Sequence, residues 1–457
     1  MKLKLIYSVR LIVLLLLTSC SLFKSNVQVL EHTKVKIKHL KDRDSWIVEY
    51  SFPRAVYSVA FSRPESFRSK TWTLVSPDLE LKFINGIEYI FSKSGKVFNE
   101  VRVSHKSYYK DFNKDYNFFL KYSDNNVLMF TGFYDVFPIL HPVNRTKGLR
   151  EKPVYKPELK FYFESSDGDN VVALGKVIKD KHTFWKDEYK KGSYIYWGSS
   201  KPFQSKGLTV IVDRKVPRWI TNDIEKYLPK LFTYYTEKTG FNLKYRPVIF
   251  INWNQLNLKG LGNLGSTLPG LIQLTLRRSG FKQKNKVNTE YLFEFLAHES
   301  AHLWNGQMFK RSDNYETWLN EGGADAFAFR AMKDLGIISN TRYEKLLSDA
   351  KESCLKGLSG KMTLNDSKNH NKYHNYYHCG STIALATEKH LSKGDIFTFW
   401  KALFEKAVEN GGEYGVDDYF ELVESQVEDK THLTKLKKFI YGPYTKGAKK
   451  HLEDLLN

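Results

Sequence analysis

The 457-residue chain has only three cysteines, 13 prolines and five methionines. Three cysteines are too few for a disulfide-stapled scaffold, so apolar packing has to hold the fold. Long apolar runs are missing too. The run at residues 11–17 falls far short of the roughly 20 residues a membrane-spanning helix needs, which argues against a permanent transmembrane anchor there. Acidic residues are in deficit, 50 against 71 basic, for a formal charge of +21. Such a balance suits anionic membranes or acidic partners, while most of the lysines read as solvated surface. No internal repeat or long low-complexity stretch is present.

The N-terminus has the layout of an export signal. Lys2, Lys4 and Arg10 precede the apolar run, and the small pair Thr18-Ser19 precedes Cys20. Leu17-Thr18-Ser19-Cys20 resembles the bacterial lipobox, and the resemblance implies cleavage before Cys20 and lipidation of its thiol. Ser21, rather than Asp, then favours the outer membrane within a bacterial cell envelope. Cleavage removes three basic residues and no acid, leaving 68 basic against 50 acidic residues, or +18. An exported protein with no recognisable binding module is not expected to engage nucleic acid. With Cys20 lipidated, Cys354 and Cys379 are the remaining thiols, and an oxidising compartment permits a disulfide between them without requiring it.

About 440 mature residues call for two or three domains. The expected fold class is multidomain α+β. Residues 1–19 form the lipoprotein signal peptide and 20–203 a β-rich N-terminal domain, with strands at 46–52, 56–61, 79–83, 101–103, 127–133 and 159–163. Leu79-Glu-Leu-Lys-Phe83, for example, alternates apolar and polar residues, as a half-buried strand does. Residues 204–340 form an α/β catalytic domain, with strands at 208–212 and 248–252, a helix at about 217–235, a loop at 260–270 and a strand at 271–276. A long helix begins near Thr289. Residues 341–457 form a helical C-terminal region, in which 397–408 ends at Asn410-Gly411-Gly412, a good helix stop.

The chemistry is concentrated in Tyr291-Leu-Phe-Glu-Phe-Leu-Ala-His-Glu-Ser-Ala-His302-Leu-Trp-Asn305, a helix-forming stretch without Pro or Gly. His298 and His302 are four apart, on one face, and can reach one ion. Glu299 can address a water on that ion without being a ligand. A catalytic zinc needs a third protein ligand and an open position. Glu321 supplies it, in Glu316-Thr-Trp-Leu-Asn-Glu321-Gly-Gly-Ala-Asp325, nineteen positions after His302. Asp325, one turn further on, can accept the second imidazole N–H of a ligand, His298 being the natural candidate. At this composition roughly 0.02 His-Glu-x-x-His matches arise by chance, and about 0.001 once Glu is required at that offset. A pair of core histidines on a buried helix explains neither Glu299 nor the second segment.

These two segments resemble the thermolysin-like gluzincins, in particular the alanyl aminopeptidase and leukotriene hydrolase family. His302-Leu-Trp-Asn305 is also similar to the glycyl aminopeptidase family. The motifs cover about residues 291–380. The resemblance implies a β-rich domain, then a thermolysin-like zincin domain, then helices. It implies one Zn²⁺ on His298, His302 and Glu321, Glu299 as general base on the zinc-bound water, and a metallopeptidase acting on peptide or protein substrates, which the lipobox resemblance would make membrane-anchored. It also implies an oxyanion-stabilising tyrosine in a Tyr-x-x-Gly setting, matched by Tyr377-His378-Cys379-Gly380, with Tyr373 and Tyr376 as neighbouring competitors. Those aminopeptidases bind the substrate amine through a glutamate two dozen residues before the metal helix, where Leu268 to Leu276 has no acid. Gln273 is the polar substitute there, and the backbone of that stretch can pair with an extended peptide as an edge strand. His370, His374 and His378 recur every four residues, as a His-rich wall near the metal or as a second metal site. The alternative reading is a surface lipoprotein using the zincin fold as a binding or assembly module, against which Glu299 argues.

Overall fold

The computed structural model describes residues 32–112, 116–149, 158–165, 169–173, 175–178, 184–186, 192–205, 207–254, 259–358, 362–444 and 448–456. The export signal and Cys20 lie outside the described residues. Among those described, no helix is long and apolar enough to cross a membrane.

The chain divides into two compact units. The first takes in Val48–Val103 and Val136–Phe161 and contains a four-stranded antiparallel sheet. Its strand order is Val136–Ile139, Ser58–Phe61, Ile87–Ser92, Leu79–Ile84. The last two strands are joined by Asn85-Gly86, both at positive φ, which is the chemistry of a tight hairpin turn. Ala60, Ile84, Tyr89, Phe91 and Ile139 form its core. Arg68 and Glu88, both fully buried, pair at 2.7 Å.

The second unit includes Ser104–Asp135 and Tyr162–Asn457. One of its sheets is a five-stranded antiparallel array centred on Tyr194–Gly198. The other runs Phe203–Ser205, Leu208–Val212, Val248–Trp253, Leu271–Leu276, Asn263–Leu268. Its three inner strands are parallel and both outer strands antiparallel. Every residue of Val248–Trp253 and Leu271–Leu276 is buried, as expected for parallel strands covered on both faces. Helix Arg218–Thr239 packs on this sheet and stops at Gly240, whose φ of 75° provides a left-handed cap. The metal-motif helix, Lys286–Asn305, follows the sheet. Helices then succeed one another at Thr317–Asp334, Asn340–Gly357, Asn375–His390, Ile396–Glu409, Val416–Gln426, His432–Tyr441 and Ala448–Leu456. One apolar core runs from Leu208 to Leu455.

All six strands expected in the first 203 residues are present. Two expectations need correction. The strand placed at 127–133 stops at Phe130, where Thr131–Tyr134 turns into a 3-10 segment. The segment 260–270, read as a loop, contains the strand Asn263–Leu268, which forms the sheet edge. Its sequence, Asn-Leu-Gly-Ser-Thr-Leu, lacks the β-branched and aromatic density that marks a strand, so partner pairing rather than propensity makes it one. It follows that Leu271–Leu276, expected at the edge, is interior.

Candidate metal centre

The helix Lys286–Asn305 starts at Asn285, whose side chain accepts the Asn288 N–H at 2.8 Å. Its buried face, including Leu292, Phe293, Leu296, Ala297, Ala301 and Trp304, packs into the core. That fixes the neighbouring stripe carrying His298 and His302, both 7% exposed. The helix Thr317–Asp334 packs against it and delivers Glu321 to the same point.

The three donor atoms form a small triangle. His298 Nε2 and His302 Nε2 are 3.0 Å apart, and Glu321 Oε2 lies 3.4 Å from the first and 3.2 Å from the second. Ligands held at about 2.0–2.1 Å on a zinc tetrahedron stand roughly 3.3 Å apart, so the set fits Zn²⁺. Among the described residues these three are the one group of His, Cys, Asp and Glu with metal-ligating spacing.

Each imidazole is held from behind. Asp325 Oδ1 lies 2.7 Å from His298 Nδ1, and Asn305 Oδ1 lies 3.2 Å from His302 Nδ1. Both contacts place the proton on Nδ1 and leave the Nε2 lone pairs for the metal. Asn305 is fully buried and its amide donates to the Asn320 carbonyl at 2.9 Å, tying the two motif segments together. The sequence motifs assign Asn305 no role of its own. Its place three residues after His302, on the same helix face, was the available signal.

The charges respond to this packing. Burial opposes a charged His298, but Asp325, Glu321 and Glu299 outweigh it and raise its pKa well above the usual value. Burial pushes Glu321 up, yet hydrogen bonds from His298 and His302 prevail and hold it well below the carboxylate range. Glu299, almost fully buried, is not a corner of the triangle. Thr267 of the edge strand places its hydroxyl 2.7 Å from Glu299 Oε2.

Tyr377 lies on the helix Asn375–His390 and stacks on His298, with ring centroids 5.4 Å apart. Burial, then Glu321 and other neighbours, push its phenol pKa well up, so it stays a proton donor. Two glycines allow this approach. A Cβ on Gly322 would fall 2.2 Å from Gly380 Cα, and one on Gly380 2.4 Å from the Trp318 carbonyl, so the two helices meet backbone to backbone. Tyr376 points elsewhere: it is buried and donates to the Asn365 carbonyl at 2.8 Å. Tyr373 is exposed and meets Tyr376 edge to face. Cys354 and Cys379 form a disulfide that joins this helix to Asn340–Gly357.

The structure does not bring Gln273 to the histidines. It meets Thr275 at 2.8 Å on one sheet face, while its neighbours Ile272 and Leu274 enter the helix-covered core on the other. The three further histidines do not share a helix face either. His370 sits in the 3-10 segment Ser367–His370, Asn371 turns the chain at positive φ, and the helix starts at Asn375. His378 is half-buried, and burial lowers its pKa.

No protein-family model and no curated protein sequence matches the chain. Solved structures do. An aminopeptidase N family protein from Idiomarina loihiensis superposes with a TM-score of 0.66 at 14% identity, over 90% of this chain and 76% of that one. Yeast LTA4 hydrolase gives 0.53 at 14%, over 92% and 69%. An M1 zinc metallopeptidase from Deinococcus radiodurans, solved with a Tyr-Ser-Ala substrate, gives 0.51 at 12%, over 90% and 94%. At these identities the likeness is one of fold: the chain has the multidomain architecture of the M1 aminopeptidases, β-rich first and helical last.

Proposed function

We propose that the protein is a zinc-dependent peptidase. The observation carrying this reading is the triangle of His298, His302 and Glu321, with Glu299 beside it and Tyr377 stacked on His298. When bound, zinc supplies a Lewis acid that polarises the scissile carbonyl and makes a water acidic near neutral pH. Glu299 takes the proton from the attacking water and passes it to the departing amine. Tyr377 donates its hydroxyl to the oxygen on which negative charge develops, where a preformed donor lowers the barrier most. Asp325 and Asn305 keep both imidazoles in the required tautomer. The similarity to structures named as aminopeptidase, LTA4 hydrolase and M1 metallopeptidase supports the same assignment. The lipoprotein-like signal in the sequence extends the reading: lipidation of Cys20 after cleavage anchors the enzyme to an envelope membrane, so that Cys20→Ala would move it to the soluble fraction.

The test is zinc content measured together with hydrolysis of a mixed peptide library by a form starting at Ser21. About one zinc in both wild type and Glu299→Gln, with cleavage only in wild type, supports the proposal. Zinc without cleavage in either protein, or no zinc at all, overturns it.

A further inference from the structure

A cavity of about 510 Å³ opens in the second unit, away from the metal site. It lies at the carboxyl ends of the three parallel strands. Lys215 follows the first, Asn252, Trp253 and Asn254 end the second, and Thr275 and Arg277 end the third. This end of an open α/β sheet is where ligands are generally held, and the volume is in the range of small-ligand sites. The metal site is elsewhere on the sheet. Thr267, which touches Glu299, pairs with Ile272, while Thr275 and Arg277 lie three and five residues further along, roughly 10 and 16 Å at strand spacing, and on the opposite face.

The cavity is built rather than incidental. Asn252 and Thr275, 2% and 3% exposed, line it, and the Thr275 hydroxyl donates to Asn252 Oδ1 at 2.7 Å while Asn252 Nδ2 donates to the Lys121 carbonyl at 3.1 Å. Beneath, the buried Asp213 carboxylate accepts the Ser123 and Lys215 N–H groups at 3.1 Å each and so fixes two walls. Trp253, 8% exposed, also lines the cavity, and its indole N–H has no partner among the described residues. The charge is lopsided. Both lining aspartates are engaged, Asp111 by Arg277 at 2.9 Å and Asp124 by Arg214 at 3.0 Å. Lys110, Lys121 and Lys215 line the cavity too and, among the described residues, none is ion-paired.

From this geometry we infer a second ligand site that takes a small anionic, hydroxyl-rich molecule of sugar-acid size. Ammonium groups at the rim attract its carboxylate or phosphate, and the second Asn252 Nδ2 proton and a lone pair of the Thr275 oxygen bond its hydroxyls. An extended peptide does not suit the site. The two free edges of this sheet, Phe203–Ser205 and Asn263–Leu268, contribute nothing to the lining, so no backbone ladder is available to pair with a peptide.

The site stands independently of peptidase action. The experiment titrates the Ser21-starting protein at physiological salt with glucuronate, glucose 6-phosphate, glucose and inorganic phosphate, by calorimetry, with and without zinc. Saturable binding of one or both anionic sugars, at least tenfold tighter than glucose or phosphate and the same with or without zinc, supports the site and tells carboxylate from phosphate. Lys121→Ala/Lys215→Ala, two exposed positions, then weakens binding at least tenfold with an unchanged circular dichroism spectrum and unchanged peptide hydrolysis. Absence of saturable binding by either anionic sugar, equal binding of glucose, or full binding by the double variant would refute it.

Discussion

Thr267 Oγ1 stands 2.7 Å from Glu299 Oε2 and 2.8 Å from the Glu299 carbonyl oxygen, joining the edge strand to the metal helix at the residue proposed as general base. A hydroxyl has one proton to give, and the charged carboxylate is the stronger acceptor. Thr267 therefore sets the rotamer of Glu299. Loss of a hydrogen bond to a charged group costs about 1.5–3 kcal/mol, so Thr267→Val is expected to lower kcat by roughly 10- to 100-fold. KM should change less than twofold and zinc content not at all, while Thr267→Ser recovers most of the rate. Equal rates for Val and Ser would leave Thr267 with a packing role only.

The sequence carries the Thr267 contact less openly than the metal ligands, for a physical reason. The metal ligands were legible because a helix fixes spacing: positions four apart share a face whatever the surroundings, and the nineteen-residue step to Glu321 covers one helix-loop-helix return. The Asp325 contact to His298 followed from the same periodicity. Thr267 lies in a strand whose own residues argue against a strand, and only pairing with Leu271–Leu276 gives it a direction. Gln273 was misplaced for the related reason that alternation along a strand says which residues share a face but not which face meets the metal helix. The Gly322–Gly380 approach, which puts Tyr377 over His298, is a property of two helices together and leaves only two glycines as its trace.

Tyr377 and Tyr376 are adjacent and do different things, so they make an internal control. Tyr377→Phe removes the proposed oxyanion donor and should reduce kcat by about 10²- to 10³-fold with little change in thermal stability. Tyr376→Phe removes the hydroxyl that donates to the Asn365 carbonyl at 2.8 Å and accepts from the Lys368 N–H at 3.1 Å. Its cost should fall on stability, about 0.5–1.5 kcal/mol, since two hydrogen bonds to partly exposed backbone groups are lost. Parallel steady-state kinetics and thermal melts decide the matter, and a reversed pattern would reassign the tyrosines.

The carboxylates around His298 make metal binding pH-dependent in a definite direction. Because its pKa is raised in the metal-free fold, His298 holds a proton that the unfolded chain releases above roughly pH 6.5. The associated stabilisation is complete below that pH and is lost as pH climbs through the raised value. Zinc needs the neutral ring, so zinc affinity should move the other way, rising about tenfold per pH unit until the raised pKa is passed and then levelling. Asp325→Asn should weaken zinc binding by about 10- to 100-fold and flatten this dependence. Competition against a chelator at pH 6, 7 and 8 measures both effects, and equal affinity at all three values would contradict the argument.

The disulfide clamps the helix that carries Tyr377. Cys354 and Cys379 are 25 residues apart, a loop whose closure is worth about 3.5 kcal/mol by chain entropy. Cys354→Ser/Cys379→Ser should lower the melting temperature by several degrees. It should reduce kcat more than zinc affinity, because the triangle of ligands rests on two other helices. Zinc loss in step with activity would show instead that the clamp supports the ligands themselves.

Substrate choice can be argued from the edge strand. Asn-Leu-Gly-Ser-Thr-Leu at Asn263–Leu268, the sheet edge among the described residues, offers backbone N–H and C=O groups alongside Glu299, the requirement for docking an extended peptide as an added strand. It contains no carboxylate. An enzyme that measures from the substrate N-terminus needs an anion to hold the α-ammonium, and the position nearest the base is filled by the neutral Thr267, whose hydroxyl is already committed to Glu299. Backbone pairing alone does not distinguish a free amine from a blocked one. N-acetylated peptides should therefore be cleaved with kcat/KM within about threefold of their free counterparts, since neither form gains or loses a charged contact worth more than about 0.7 kcal/mol. A loss of a hundredfold or more on acetylation, read by mass spectrometry on matched peptide pairs, would mean that an acid from elsewhere in the chain reaches the amine.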